Sequence, residues 1–96
     1  MRPSTVLDMK RSVIREMARR FKAVNPRVFG SVLRGSDTEG SDLDLLVDVL
    51  PGTTLFDLGA LQDELQILLG IHVDVVTPAD LPPEIRTAVL AEALPI

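Results

Sequence analysis

Three aspartates carry the strongest chemical signal in this chain. Asp42 and Asp44 stand one residue apart at the head of an apolar run, and Asp74 interrupts a second apolar run over residues 71–76. In a β-strand, residues i and i+2 face the same side about 6.5–7 Å apart along the chain, so Asp42 and Asp44 can converge on one point. If the two runs are neighbouring strands, Asp74 can face that point as well. Carboxylates held together repel, and each raises the pKa of the other. A divalent cation relieves the repulsion. Oxygen donors without cysteine, and without histidine in the first run, favour Mg²⁺ or Mn²⁺ over zinc. Three such carboxylates suit a two-metal site for phosphoryl or nucleotidyl transfer, with one cation activating an acceptor hydroxyl and the other holding a triphosphate.

Ten residues separate Gly30-Ser31 from the Asp-x-Asp pair. Glycine lets a phosphate approach the backbone, and the serine hydroxyl with the N–H groups of a following turn can donate to phosphate oxygens. Arg34 is close enough in sequence to add positive charge. Either dipeptide alone is a weak signal, because a lone aspartate at a strand start usually serves a turn. The combination, Gly-Ser, a gap holding Arg34-Gly35, then Asp-x-Asp on a strand, is far more specific. His72 shares strand parity with Asp74 and could lie near the site, although a lone histidine at a strand end is more often structural. Asp48 shares parity with the pair but lies further along, and reads as a strand-end or solvent-facing charge.

The elements that must position these residues follow from hydrophobic periodicity. Ser4 or Thr5 can cap a first helix reaching about Lys22, with Val6, Val13, Ile14, Met17, Ala18 and Phe21 on its buried stripe. Asn25-Pro26 breaks that pattern. Arg27 to Phe29 then reads as a short strand, Ser31 to Arg34 as one helical turn, and Asp42 to Val49 as a second strand. After the Pro51-Gly52 turn, Thr54 caps a helix with a Leu55, Leu58, Leu61, Leu65, Leu68 stripe, Asp57 completes a capping box, and Gly70 ends it. Residues 71–76 form a third strand. Asp80 can cap a last helix that tolerates Pro82 and Pro83 in its first turn, with Ile85, Ala88, Val89 and Ala93 packing inward. This order predicts an α/β (α+β) domain, a small sheet flanked by helices, spanning residues 1–96 as one unit.

Composition bounds the function. Apolar residues make up 46% and charged residues 25% of the chain, as in globular domains. There is no cysteine, so disulfides and thiolate metal sites are excluded. No apolar run approaches the ~20 residues that span a bilayer, and the start lacks a signal-peptide apolar region. A cytoplasmic protein is expected, with no membrane partner. Nine Lys/Arg against two acids in residues 1–36 contrast with one arginine against twelve acids in residues 37–96. Internal neutralisation accounts for this most simply; a basic surface for an acidic or phosphate-bearing partner is the alternative. With three Phe and no Trp or Tyr, a base-stacking platform for single-stranded nucleic acid is not expected.

The stretch GSVLRGSDTEGSDLDLLV, residues 30–47, resembles the signature of the minimal nucleotidyltransferases, a group within the DNA polymerase beta-type nucleotidyltransferase superfamily. The resemblance extends over nearly the whole chain, through the preceding amphipathic helix, the HVDVV strand and the PPEIRTAVLAEAL helix. It implies a small mixed sheet flanked by helices. It also implies Asp42, Asp44 and Asp74 as metal-binding catalytic carboxylates, and Gly30 and Ser31 as nucleotide-binding residues, to which Arg34 is added by its nearness in sequence. Members of this group are often antitoxins paired with a HEPN-type ribonuclease toxin; some move AMP from ATP to a tyrosine of that toxin and so silence it, and binding alone is the other mode the resemblance allows.

Three functions therefore stand open. The first is a Mg²⁺-dependent adenylyltransferase acting on a partner toxin; the short chain after Asp74 leaves no room for an acceptor domain and favours an acceptor on another protein. The second is an antitoxin that inhibits by binding alone. The third is a small-molecule nucleotidyltransferase working as a homo-oligomer, which an exposed strand edge could support.

Overall fold

The computed structural model describes all 96 residues. Its elements are α1 (Pro3–Arg20), β1 (Ala23–Phe29), α2 (Gly30–Arg34), β2 (Leu43–Val49), α3 (Leu55–Leu69), β3 (Val73–Val76), α4 (Pro83–Glu92) and β4 (Leu94–Pro95). The strands form one mixed sheet in the order β3-β2-β1-β4. β2 runs antiparallel to β1 and parallel to β3, with α3 as the crossover between the parallel pair. β4 adds two residues antiparallel to β1; the sequence reading did not anticipate so short an element.

Strand alternation builds the core on one sheet face. Val28, Leu43, Leu45, Val47, Val73 and Val75 are buried there with Val6, Leu7, Ile14 and Ala18 of α1 and Leu61, Leu65 and Leu69 of α3. The opposite face carries Asp44, Leu46 and Asp48 on β2 and Asp74 on β3. Leu46 and Leu81 are buried but lie outside the main core cluster.

Several local expectations need correction. Neither Ser4 nor Thr5 caps α1. Arg2 occupies the cap position without a side-chain bond, and the Ser4 N–H instead donates to the Asp37 carboxylate at 2.9 Å. The loop ahead of β2 thus caps a helix 33 residues away, and this bond holds the buried Asp37 carboxyl below the usual carboxylate range. The helical pattern does end before Asn25-Pro26, but β1 starts at Ala23 rather than Arg27. The strand passes through both residues with an irregularity in its register against β2. Asn25 adopts φ 53°, a conformation that asparagine tolerates better than most residues, and its side-chain amide donates to Asp48 at 3.1 Å.

On α3 the Thr54–Asp57 capping box and the left-handed Gly70 stand as expected, but the buried row is Leu61, Leu65, Leu69. Leu55 is 80% exposed and Leu68 42% exposed. Rows of i, i+4 neighbours run oblique to the helix axis, so Leu68 falls beside the row. On α4 no residue is buried, and Ile85 is 47% exposed. The helix is tethered by polar bonds instead: Arg86 donates to the carbonyls of Pro78 at 2.8 Å and Leu81 at 2.7 Å. Asp80 does not cap α4. It accepts from the Thr77 N–H at 2.9 Å and closes a 3₁₀ turn over Pro78–Asp80.

Removing the Asp37 carboxylate by Asp37→Ala is expected to destabilise the protein at neutral pH, as loss of a helix cap does. Because the folded-state pKa of Asp37 is depressed, its contribution is present at neutral pH and fades as the carboxylate protonates below about pH 4. Urea denaturation of both proteins at neutral and acid pH should therefore show a gap that narrows in acid.

Candidate active site

The candidate site lies where β2 and β3 run parallel. Leu43 pairs with Val73, Asp44 with Asp74 and Leu45 with Val75, so Asp44 and Asp74 stand side by side on the face away from the core. Asp42 precedes β2 rather than lying in it, and is exposed. Its carboxylate oxygen lies 3.4 Å from Nδ1 of His72, whose Nε2 lies 3.9 Å from the carboxylate of Asp74. One ligand atom from each of Asp42, His72 and Asp74 can be chosen within 4.8 Å of the others. Asp44 stands outside that tight cluster but is electrostatically tied to it. Burial, the charges of Asp74 and Asp42, and a hydrogen bond with Asp74 push its pKa up to about 6, partly offset by the Arg34 cation.

The structure thus brings the three aspartates together, and adds His72, for which the only sequence signal was parity with Asp74. Gly30 is seated against them. It has φ +74°, and a Cβ there would overlap the Asp44 carboxylate. Glycine is required twice over at this position, for its backbone angle and for the space that Asp44 fills. Phe29, the residue before it, pairs across β1–β2 with Asp44, which sets the approach. Ser31 follows in the first turn of α2, and Arg34 is exposed at its end. A groove of about 310 Å³ opens beside Gly30 and Arg34, walled by Phe29, Ile85, Val89 and Glu92.

Asp48 takes no part in this cluster. It pairs with Arg27 at 3.0 Å and accepts from Asn25, and these bonds lower its pKa. Of the basic residues on α1, Arg11 pairs with Asp8 at 2.8 Å and Arg15 donates to the Ile96 carbonyl at 2.9 Å, while Arg19 and Arg20 remain exposed.

A half-buried carboxyl raised to about 6 beside two others marks negative charge that the protein does not itself neutralise. The carboxylate oxygens of Asp42, Asp44 and Asp74 fit a hard divalent cation such as Mg²⁺ or Mn²⁺, and the His72 nitrogen among them is a donor that Mn²⁺ accepts as well. The pH dependence follows from the raised pKa. In the unfolded chain Asp44 ionises near 4, and in the folded protein near 6. The folded state is therefore penalised increasingly as pH rises from about 4 to 6, and fully above that. Asp44→Asn should raise the stability of the ion-free protein above pH 6 by of order 1 kcal/mol, allowing for solvent screening, and leave it unchanged below pH 4. Thermal melts across this range test it, and Mn²⁺ should raise the Tm of the parent above pH 6 far more than that of the variant.

Comparison with known proteins identifies the family. Residues 10–95 match the nucleotidyltransferase domain family. The protein adenylyltransferase MntA of Thermococcus cleftensis is 38% identical over 80 residues, covering 83% of this chain and 81% of that one. A Methanocaldococcus jannaschii protein provisionally named a protein adenylyltransferase is 39% identical over 69 residues, covering 72% and 74%. A solved structure provisionally described as a minimal nucleotidyltransferase superposes with a TM-score of 0.86 at 44% identity, covering 97% of this chain and 95% of that one. A toxin–antitoxin structure with AMP-PNP shares the fold, with a TM-score of 0.73 at 20% identity over 90% and 70% of the two chains. The chain belongs to the nucleotidyltransferase domain family, in its minimal branch.

Proposed function

We propose that this protein transfers AMP from ATP to a tyrosine hydroxyl of a HEPN-type toxin and thereby neutralises it, with Mg²⁺ as the resident cation. The observation that carries the reading is the seating of Gly30 against Asp44 in a cluster completed by Asp42 and Asp74. That arrangement puts a close backbone approach for phosphate next to uncompensated carboxylates. The naming of the Thermococcus relative as a protein adenylyltransferase supports the reaction class, and the AMP-PNP toxin–antitoxin structure supports the nucleotide and the kind of partner.

Each group then has a task. Asp42, Asp44 and Asp74 hold the cation, which when bound supplies charge for the triphosphate and polarises the acceptor hydroxyl. Gly30 and Ser31 grip the phosphates through the backbone and the hydroxyl, and Arg34 adds positive charge. The groove beside Gly30 offers an apolar wall to the nucleoside. Asp74 accepts the acceptor proton or assists its departure. The acceptor oxygen bonds to the α-phosphorus, the bond from that phosphorus to the α–β bridging oxygen breaks, and pyrophosphate leaves. Lining up these reactants is the main contribution expected of so small a domain.

The test is intact-mass measurement of the toxin encoded beside this protein after incubation with ATP and Mg²⁺. The toxin is expected to gain AMP on a tyrosine and lose ribonuclease activity. Gly30→Ala or Asp44→Asn should reduce the gain at least 100-fold, as expected for loss of oriented groups at a reacting centre. An inhibited but unmodified toxin would contradict transfer and leave inhibition by binding.

A further inference from the structure

We propose that Gln62 and Gln66 of α3 are positioning residues for Asp74. β3 is an edge strand of four residues, paired with β2 on one side only. The N–H groups of Val73 and Val75 point to the unpaired side. Each is taken by a glutamine: the Val73 N–H donates to Oε1 of Gln66 at 3.1 Å, and the Val75 N–H donates to Oε1 of Gln62 at 2.9 Å. These two bonds bracket Asp74.

Elementary geometry makes the match. Four residues of helix rise about 6.0 Å, and two residues of strand span about 6.6 Å. Side chains at i and i+4 on α3 are therefore spaced to meet alternate N–H groups on a strand lying alongside. α3 is itself fixed by its capping box and by the buried Leu61, Leu65 and Leu69, so the clamp is anchored in the core. Glutamine suits the task, since it reaches out from the helix and accepts without adding charge beside an acidic cluster. A methionine of similar length could not accept. Without the clamp β3 would be held from one side alone, and the alignment of Asp74 with Asp44 and His72 would loosen. The same bonds occupy the edge donors that another strand would use.

The inference rests on the reading of Asp74 as a cation-binding member of the site, and the experiment separates the two. Amide hydrogen exchange at Val73 and Val75 and the Mn²⁺ dissociation constant are measured by NMR for the parent and for Gln62→Met, Gln66→Met, the double Met variant, the double variant Gln62→Glu with Gln66→Glu, and Asp74→Asn. The Met variants should exchange faster at the amide whose acceptor is gone and, in the double variant, bind Mn²⁺ roughly tenfold more weakly, the usual effect of losing an outer-shell partner. The Glu pair, which keeps the acceptor oxygens, should restore slow exchange at both amides, while its added charge strengthens Mn²⁺ binding on its own account. If Asp74→Asn leaves Mn²⁺ affinity unchanged, the reading of Asp74 is wrong. If Asp74→Asn weakens Mn²⁺ but the Met variants do not, or if exchange at Val73 and Val75 is unaltered, the clamp is overturned. Should the double Met variant fail to fold, Gln62→Met decides alone, since it breaks only the bond at Val75.

Discussion

A half-buried carboxylate beside a second one on a parallel strand is unfavourable in the folded chain, and the surroundings of Asp44 are organised by that fact. The β2–β3 register makes Asp74 its neighbour, burial strips it of solvent, and Asp42 adds charge at the strand entrance. Gly30 is the one residue whose backbone angle and lack of a side chain let the chain pass close to the Asp44 carboxylate. A cation and a phosphate answer the same local problem from two sides, charge and space.

The rest of the fold holds that arrangement in place. α1 and α3 bury one sheet face and make it rigid, while the other face is left to chemistry. The loop between Arg34 and Leu43 is held to α1 through Asp37 and Ser4, so the gap separating the glycine from the aspartates is spanned by an anchored segment. Arg27 pairs Asp48 further along β2 and keeps that third same-face carboxylate out of the cluster. No helix is long and apolar enough to cross a membrane.

Much of this was legible in the sequence because it is local. Gly-Ser, the ten-residue gap and Asp-x-Asp lie within fifteen residues, and a strand's period of two assigns faces without tertiary knowledge. The capping box on α3 and the glycine after it are likewise short-range signals. What could not be read depends on neighbours distant in sequence. The cap of α1 comes from Asp37. The α3 stripe is set by where the sheet lies beneath it, which moved Leu55 and Leu68 outward. The apolar residues of α4 line an open groove rather than the core, and the helix is held by the bonds of Arg86 to the chain before it. His72 and the two glutamines gained roles only once β3 was placed beside β2 and α3.

The central claim is that Asp42, Asp44 and Asp74 hold a divalent cation against a triphosphate gripped at Gly30-Ser31. A crystal structure with Mn²⁺ and a non-hydrolysable ATP analogue tests it most directly. An anomalous manganese peak is expected among the three carboxylates, with the phosphates over Gly30. A nucleotide bound elsewhere, or carboxylates with no manganese among them, would contradict it.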